Sequence, residues 1–263
     1  MSDVKAMKTG CVKYLNARPL IEGMRADRRF ELVLDAPSRL AAALVRGDLD
    51  LALVPVVTLL ESPEFAYVPG LCIGADGPVD SVFLFERSAA PTDRRLRVLL
   101  DRHSRTSQML VRIVLEEFRG RDAATIDYVE GDPRAALDRA EGFDAVLVIG
   151  DEALRRPEIP GFVRTDLAAA WRASTGLPFV FAAWIARRST LAENPWLPEA
   201  LARSLERGLG ELPRLAAEGG ALVGVEAAVA RAYLERSICY RLTPRGERGL
   251  SEFLERVAAR TRA

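Results

Sequence analysis

Short apolar runs alternate with amphipathic helical patterns through the first two-thirds of the chain. This alternation predicts an α/β fold with largely parallel strands. The runs predict strands over Lys8–Tyr14, Glu31–Asp35, Leu49–Val54, Ser81–Glu86, Leu96–Asp101, Thr125–Val129, Ala145–Ile149 and Phe179–Ala186. Helical spacing predicts helices over Pro19–Ala26, Ser38–Arg46, Val56–Ser62, Arg105–Arg119, Pro133–Arg139 and Leu167–Thr175. After Pro195 the pattern turns wholly helical, with candidates at Pro198–Glu211, Val225–Ser237 and Pro244–Arg260. In the last of these Thr243 is placed to cap and Pro244 fits the first turn. Leu250, Phe253, Leu254 and Val257 form its apolar stripe.

An internal echo supports two similar units. Arg39–Val54 reads as a helix, Gly47, Asp50 and an apolar strand; Arg134–Val148 reads as a helix, Gly142, Asp144 and an apolar strand. Strands apolar on both faces are those covered by helices on both sides. The expected division is lobe one at 1–84 plus 186–263 and lobe two at 85–185. Ser81–Glu86 and Phe179–Ala186 would be the crossing strands, with a ligand cleft between the lobes.

Composition narrows the chemistry. The 263 residues carry 37 Lys+Arg against 37 Asp+Glu, so no basic surplus marks a general nucleic-acid binder. A single His, with three Cys at 11, 72 and 239 in no metal-ligand spacing, argues against a metal centre and a disulfide framework. Residues Met1–Lys8 show no signal-peptide pattern. The longest apolar stretch, Leu177–Ala186, is about half the ~20 residues of a membrane helix. The expectation is a cytoplasmic protein with no membrane partner and a reduced set of thiols.

Several strand-to-helix junctions can carry a site. Tyr14-Leu15-Asn16-Ala17-Arg18-Pro19-Leu20 would aim unpaired N–H groups at an anion, with Asn16 and Tyr14 beside it. Asp101-Arg102-His103-Ser104-Arg105-Thr106-Ser107 precedes a long amphipathic helix. Ser104 is placed to cap it, and Arg105, Thr106 and Ser107 add more donors than capping requires. Ser38 is a further candidate cap, Ser81 opens a crossing strand, and Gly150-Asp151 ends a buried strand where Gly150 permits close approach. His103 is readable either as a proton shuttle or as a capping residue. No GxSxG, GxGxxG or GxxxxGK[ST] motif is present, so nucleophile-elbow hydrolysis and nucleotide binding have no support.

Taken in order, these motifs resemble a known family. They are Tyr14-Leu15-Asn16-Ala17-Arg18-Pro19-Leu20, Pro37-Ser38-Arg39-Leu40, Leu53-Val54-Pro55, Val68–Gly74, Ser104-Arg105-Thr106-Ser107, Ile149-Gly150-Asp151 and Thr175–Ala182. The chain is similar here to the chorismate dehydratases of the futalosine route to menaquinone. The match runs from Tyr14 to about Trp184, and the helical tail fits by length and position. The resemblance implies a type II periplasmic-binding-protein-like fold, with two α/β lobes, two crossing hinge strands and a helical C-terminal segment. It also implies loss of water from chorismate to give 3-[(1-carboxyvinyl)oxy]benzoate, a carbon–oxygen lyase reaction with no cofactor and no metal.

On this resemblance Asn16 would be catalytic, orienting the reacting ring or the leaving hydroxyl. Ser104, Thr106 and Ser107 would hold a carboxylate, and Tyr14, Ser38, Ser81, Arg105, Gly150 and Asp151 complete the expected substrate contacts. Arg18 and Arg105 have a structural alternative, pairing with acidic residues near the hinge. The base is open between His103, Asp151 and a carboxylate of the substrate, with the last favoured. Three rivals share parts of the pattern. One is a solute-binding protein for a small carboxylate, which needs a secretory signal. Another is the effector domain of a transcription regulator, which needs a helix-turn-helix. The third is the sibling dihydroxynaphthoate-forming menaquinone enzyme.

Overall fold

The computed structural model describes residues 6–88, 94–134 and 142–262. Its strands are β1 (Met7–Val12), β2 (Phe30–Asp35), β3 (Leu51–Pro55), β4 (Phe65–Ala75), β5 (Val82–Arg87), β6 (Leu96–Asp101), β7 (Ile126–Gly131), β8 (Ala145–Ile149), β9 (Phe162–Asp166), β10 (Phe179–Arg187) and β11 (Cys239–Arg241). One six-stranded sheet has the order β11-β4-β10-β3-β1-β2, and a five-stranded sheet has the order β7-β6-β8-β5-β9.

The echo corresponds to the centre of each sheet. β3 and β8 are buried at all five positions, as their two-faced apolar pattern requires. Around them β2, β1 and β3 run parallel, as do β7, β6 and β8. The expectation of largely parallel strands holds for these two cores only. β10 is antiparallel to β3 and β4, and β5 is antiparallel to β8 and β9. Residues 135–139 of the helix predicted over Pro133–Arg139 lie outside the described residues.

β5 pairs throughout within the smaller sheet and β10 throughout within the larger one. The chain therefore passes between the sheets at residues 76–81 and returns at 167–178, just ahead of the two strands expected to cross. Asp166 ties the two passages together. Its Oδ2 accepts from the Val79 and Asp80 amides at 2.9 Å, and its Oδ1 accepts from Ala168 and Ala169 at 3.0 Å, capping the helix Leu167–Thr175. Asp80 itself adopts φ 57°, a left-handed conformation uncommon for a residue with a side chain.

The C-terminal helices return to the larger sheet and reach the site. The last helix, Pro244–Arg262, begins with Thr243 Oγ1 accepting from the Gly246 amide at 3.2 Å. Its Phe253 packs edge-on against Phe179 at 4.9 Å and Trp171 at 6.0 Å, so the tail clamps the returning passage. The helix Leu212–Val223, which the Pro213 and Gly219-Gly220 pattern hides in the sequence, presses Gly219 onto the loop after β1. A Cβ at Gly219 would lie 2.5 Å from Leu15 Cδ1, so a larger residue would have to displace the side chain of the residue preceding Asn16.

β4 was also hidden, because Pro69-Gly70 reads as a turn. In the structure this dipeptide lies in an irregularity of the β4–β10 pairing, and the Gly70 carbonyl accepts from Leu242 beside β11.

Candidate active site

A cleft of about 550 Å³, its open mouth included, is lined by residues from both sheets. Its walls are largely apolar, with Val12, Pro37, Pro55, Ile73, Val79 and Phe181 among them. Polar groups enter at the carboxyl ends of parallel strands, where helix starts also gather. Tyr14 and Asn16 follow β1, Ser104, Thr106 and Ser107 follow β6, Gly150 follows β8, and Ser81 immediately precedes β5. Seven of the residues singled out in the sequence thus line one cleft.

Asn16 is buried, and its Nδ2 donates to the Tyr233 hydroxyl at 2.8 Å. The Tyr233 hydroxyl donates in turn to Ser81 Oγ at 2.8 Å. Asn16 Oδ1 is buried without a hydrogen-bond partner, and so is the Thr106 hydroxyl. Such atoms are costly, about 1–3 kcal/mol each, unless a ligand completes them. Ser104 occupies the N-cap position of the helix Arg105–Arg112, but its hydroxyl makes no capping bond. The predicted cap is therefore replaced by a hydroxyl free to serve the cleft, beside first-turn amides that lack intrahelical partners. Beyond Arg112 this helix widens to i→i+5 bonding over Ile113–Phe118.

Gly150 has φ 61°, and its amide donates to the Ser81 carbonyl at 2.7 Å. A Cβ there would lie 2.9 Å from the Tyr14 ring, so the glycine both makes the turn and seats the tyrosine. Burial pushes the Tyr14 phenol up, and the Asp101 and Asp151 carboxylates nearby push it further. Among the described residues lining the cleft, Tyr14 is the sole titratable one.

Three of the predicted contact residues do not line the cleft. Ser38 is not a cap, since Ala36 holds that position and Pro37 opens the helix Pro37–Arg46; Ser38 Oγ lies 3.0 Å from His103 Nδ1. Arg105 pairs with Glu61. Asp151 Oδ1 accepts from the Leu15 amide at 3.0 Å. Each of these contacts joins the larger-sheet half to the smaller-sheet half. The Asp151 bond also corrects the expectation of a free anion cradle after β1, because Leu15 N–H is taken by Asp151 and Ala17 N–H by the Tyr14 carbonyl. Burial raises the Asp151 carboxyl above its ordinary range, opposed by the Leu15 amide. Asp101 is raised in the same way, opposed by the His103 amide, which donates to it at 2.8 Å.

The sequence did not single out Tyr233, and it marked Asp101 only as the first residue of its junction, with no role of its own. Tyr233 lies in the tail, where its spacing with Ala230 and Leu234 looks like ordinary core, and all three are buried. Among the described residues no group of His, Cys, Asp and Glu is arranged to hold a metal ion, and no helix is long and apolar enough to cross a membrane.

Comparison with known proteins agrees with this architecture. A family described as menaquinone biosynthesis matches residues 7–259. The chorismate dehydratase of Thermus thermophilus is 31% identical over 266 aligned positions, covering 94% of this chain and 93% of that protein. Among solved structures, a protein of Archaeoglobus fulgidus aligns with a TM-score of 0.74 at 14% identity, covering 98% of both chains. The periplasmic aliphatic sulphonate binding protein of Escherichia coli aligns with a TM-score of 0.68 at 13% identity, over 98% of this chain and 88% of that one. These structures show the fold to be periplasmic-binding-protein-like. The sequence match is the more specific finding: the chain belongs to the menaquinone biosynthesis family.

Proposed function

We propose that this protein is a chorismate dehydratase, a hydro-lyase that acts in menaquinone biosynthesis by the futalosine route and releases 3-[(1-carboxyvinyl)oxy]benzoate and water. The observation that carries this reading is the pair of buried, unpartnered oxygens, Asn16 Oδ1 and Thr106 Oγ1, in an apolar cleft. They fit a substrate that is mostly a carbon ring but bears carboxylates and a hydroxyl. The 31% identity to a chorismate dehydratase supports the same substrate.

Ser104, Thr106 and Ser107 hold one carboxylate together with the first-turn amides of their helix. Each such charge-assisted bond is worth about 1.5–3 kcal/mol. Asn16 orients the leaving hydroxyl, Tyr14 meets the substrate from the larger-sheet side, and Ser81 meets it from the head of β5. In the reaction one ring C–H bond and the neighbouring ring C–O bond break. The C–H electron pair enters the ring, which becomes aromatic, and the proton and hydroxyl leave together as water. Among the described residues lining the cleft there is no carboxylate, His or Lys to take that proton. His103 is engaged with Ser38 and Asp151 with Leu15. A carboxylate of the substrate is therefore the base, and the protein contributes positioning and fixed dipoles without a cofactor.

The two sheet halves act as lobes that exclude water around the ring, held by the Ser38–His103, Arg105–Glu61 and Asp151–Leu15 contacts. The protein works in the cytoplasm. A solute-binding role rests on fold similarity alone. Calorimetry and turnover on the same preparation separate the two readings. The expected result is that Asn16→Leu still binds chorismate within about tenfold of wild-type affinity but loses turnover. Wild-type binding with no turnover would favour a receptor.

A further inference from the structure

Tyr233 belongs to the C-terminal helical segment, far in sequence from every motif of the cleft, yet its hydroxyl is the joint between two of them. The helix Ala227–Ala232 widens at Tyr233 into a wider turn over Tyr233–Ser237, which places the side chain under the cleft. The residue is fully enclosed, and burial raises its phenol well above the ordinary range, so it stays a neutral O–H.

We propose that Tyr233 is a positioning residue that sets the hydrogen-bond polarity of the reacting site through Asn16 and Ser81. The Asn16 Nδ2 group can only donate, and it donates to Tyr233. The Tyr233 oxygen, having accepted, gives its single proton to Ser81 Oγ. Two consequences follow from proton counting. Asn16 Oδ1, buried and unpartnered, is left as an acceptor and takes a substrate O–H. Ser81 Oγ, having accepted from Tyr233, keeps its own proton for an acceptor oxygen of the substrate, a carboxylate or an ether. Without the phenol the amide loses its partner and is free to turn, and its NH₂ face would then meet the substrate hydroxyl as a donor in place of the Oδ1 acceptor. The assignment rests on the dehydratase reading for the identity of that hydroxyl, but the orientation of Asn16 is a property of the free protein.

The test uses Tyr233→Phe, which keeps the ring and removes only the hydroxyl. In free wild-type protein with labelled Asn, one Asn16 side-chain amide proton is expected to exchange slowly with solvent, and in Tyr233→Phe that protection is expected to vanish. Absence of a protected proton in wild type, or its survival in the variant, would overturn the proposal whatever the substrate is. With chorismate, Tyr233→Phe is expected to lower kcat by about 10–100-fold with KM changed less than about threefold. That loss is expected to shrink in an Asn16→Ala background to the smaller share carried through Ser81, because Tyr233 acts mainly through Asn16. Equal losses in both backgrounds would show a general packing role and overturn it. If wild type does not turn chorismate over, the dehydratase reading fails and the exchange experiment still decides the role of Tyr233.

Discussion

Ser38 Oγ and His103 Nδ1 lie 3.0 Å apart, joining the helix after β2 to the loop after β6. Each residue is the immediate neighbour of a cleft-lining one, Pro37 and Ser104 respectively. The only histidine of the chain thus bridges the two halves and is not among the residues that line the cleft. One such bond is worth about 1 kcal/mol. Ser38→Ala and His103→Ala should each raise KM for chorismate by roughly fivefold and leave kcat within about threefold of wild type. A collapse of kcat in His103→Ala with binding retained would make the histidine the base.

Thr106→Val tests whether the helix start is built for substrate rather than for stability. The hydroxyl is buried with no partner, so replacing it by a methyl group of similar shape should raise stability, by up to about 1–3 kcal/mol. The same change should raise KM by about tenfold. Thermal unfolding and steady-state kinetics on one preparation check both signs. A fall in both Tm and affinity would mean that the hydroxyl has a partner inside the protein.

Gly150→Ala combines a backbone and a steric penalty. The left-handed conformation costs a side-chain-bearing residue about 1–2 kcal/mol, and the new Cβ meets the Tyr14 ring at 2.9 Å. The variant should lose both Tm and, by about tenfold or more, kcat/KM. Adding Tyr14→Ala should recover part of the Tm by removing the steric share. No recovery would place the whole cost in the backbone.

Asp101 sets a pH dependence of known sign. Burial raises its carboxyl in the folded state above the unfolded value of about 3.9. Between those two values the folded protein binds the extra proton, so this group favours folding more as pH falls and less as pH rises toward neutrality. Asp101→Asn keeps an acceptor for the His103 amide and removes the titration. The Tm advantage of the variant over wild type should be largest near neutral pH and shrink as pH is lowered toward about 4. A gap that stays constant, or widens on acidification, would contradict this.

The parts of the molecule legible in the sequence are those where local pattern and tertiary environment agree. Leu96–Asp101, Ala145–Ile149 and Leu167–Thr175 were placed to the residue, because buried parallel strands and a helix framed by Asp166 and Gly176 advertise themselves locally. β4 was missed because Pro69-Gly70 carries a turn signature that the sheet absorbs as an irregularity. The helix at Leu212–Val223 is hidden because its glycines serve close approach, Gly219 to Leu15 and Gly220 to the Val225 carbonyl. In the cleft, Asn16, Ser104, Thr106 and Ser107 stand at strand-to-helix junctions whose polarity exceeds what capping needs. Ser38, Arg105 and Asp151 stand at similar junctions, yet they bridge the two halves, and sequence spacing does not distinguish a ligand contact from a contact across a cleft. Tyr233 was invisible because a hydroxyl at the end of a buried ring is decided by packing alone.

Identification of the product decides whether the Asn16–Thr106 cleft removes water from chorismate. Purified protein is incubated with chorismate, and the mixture is followed by ultraviolet absorbance and mass spectrometry. Wild type is expected to form, over many turnovers, an aromatic product lighter than chorismate by one water, and Asn16→Leu to form it at least about 100-fold more slowly. Chorismate recovered unchanged at high protein concentration, or equal rates for the two proteins, would contradict it.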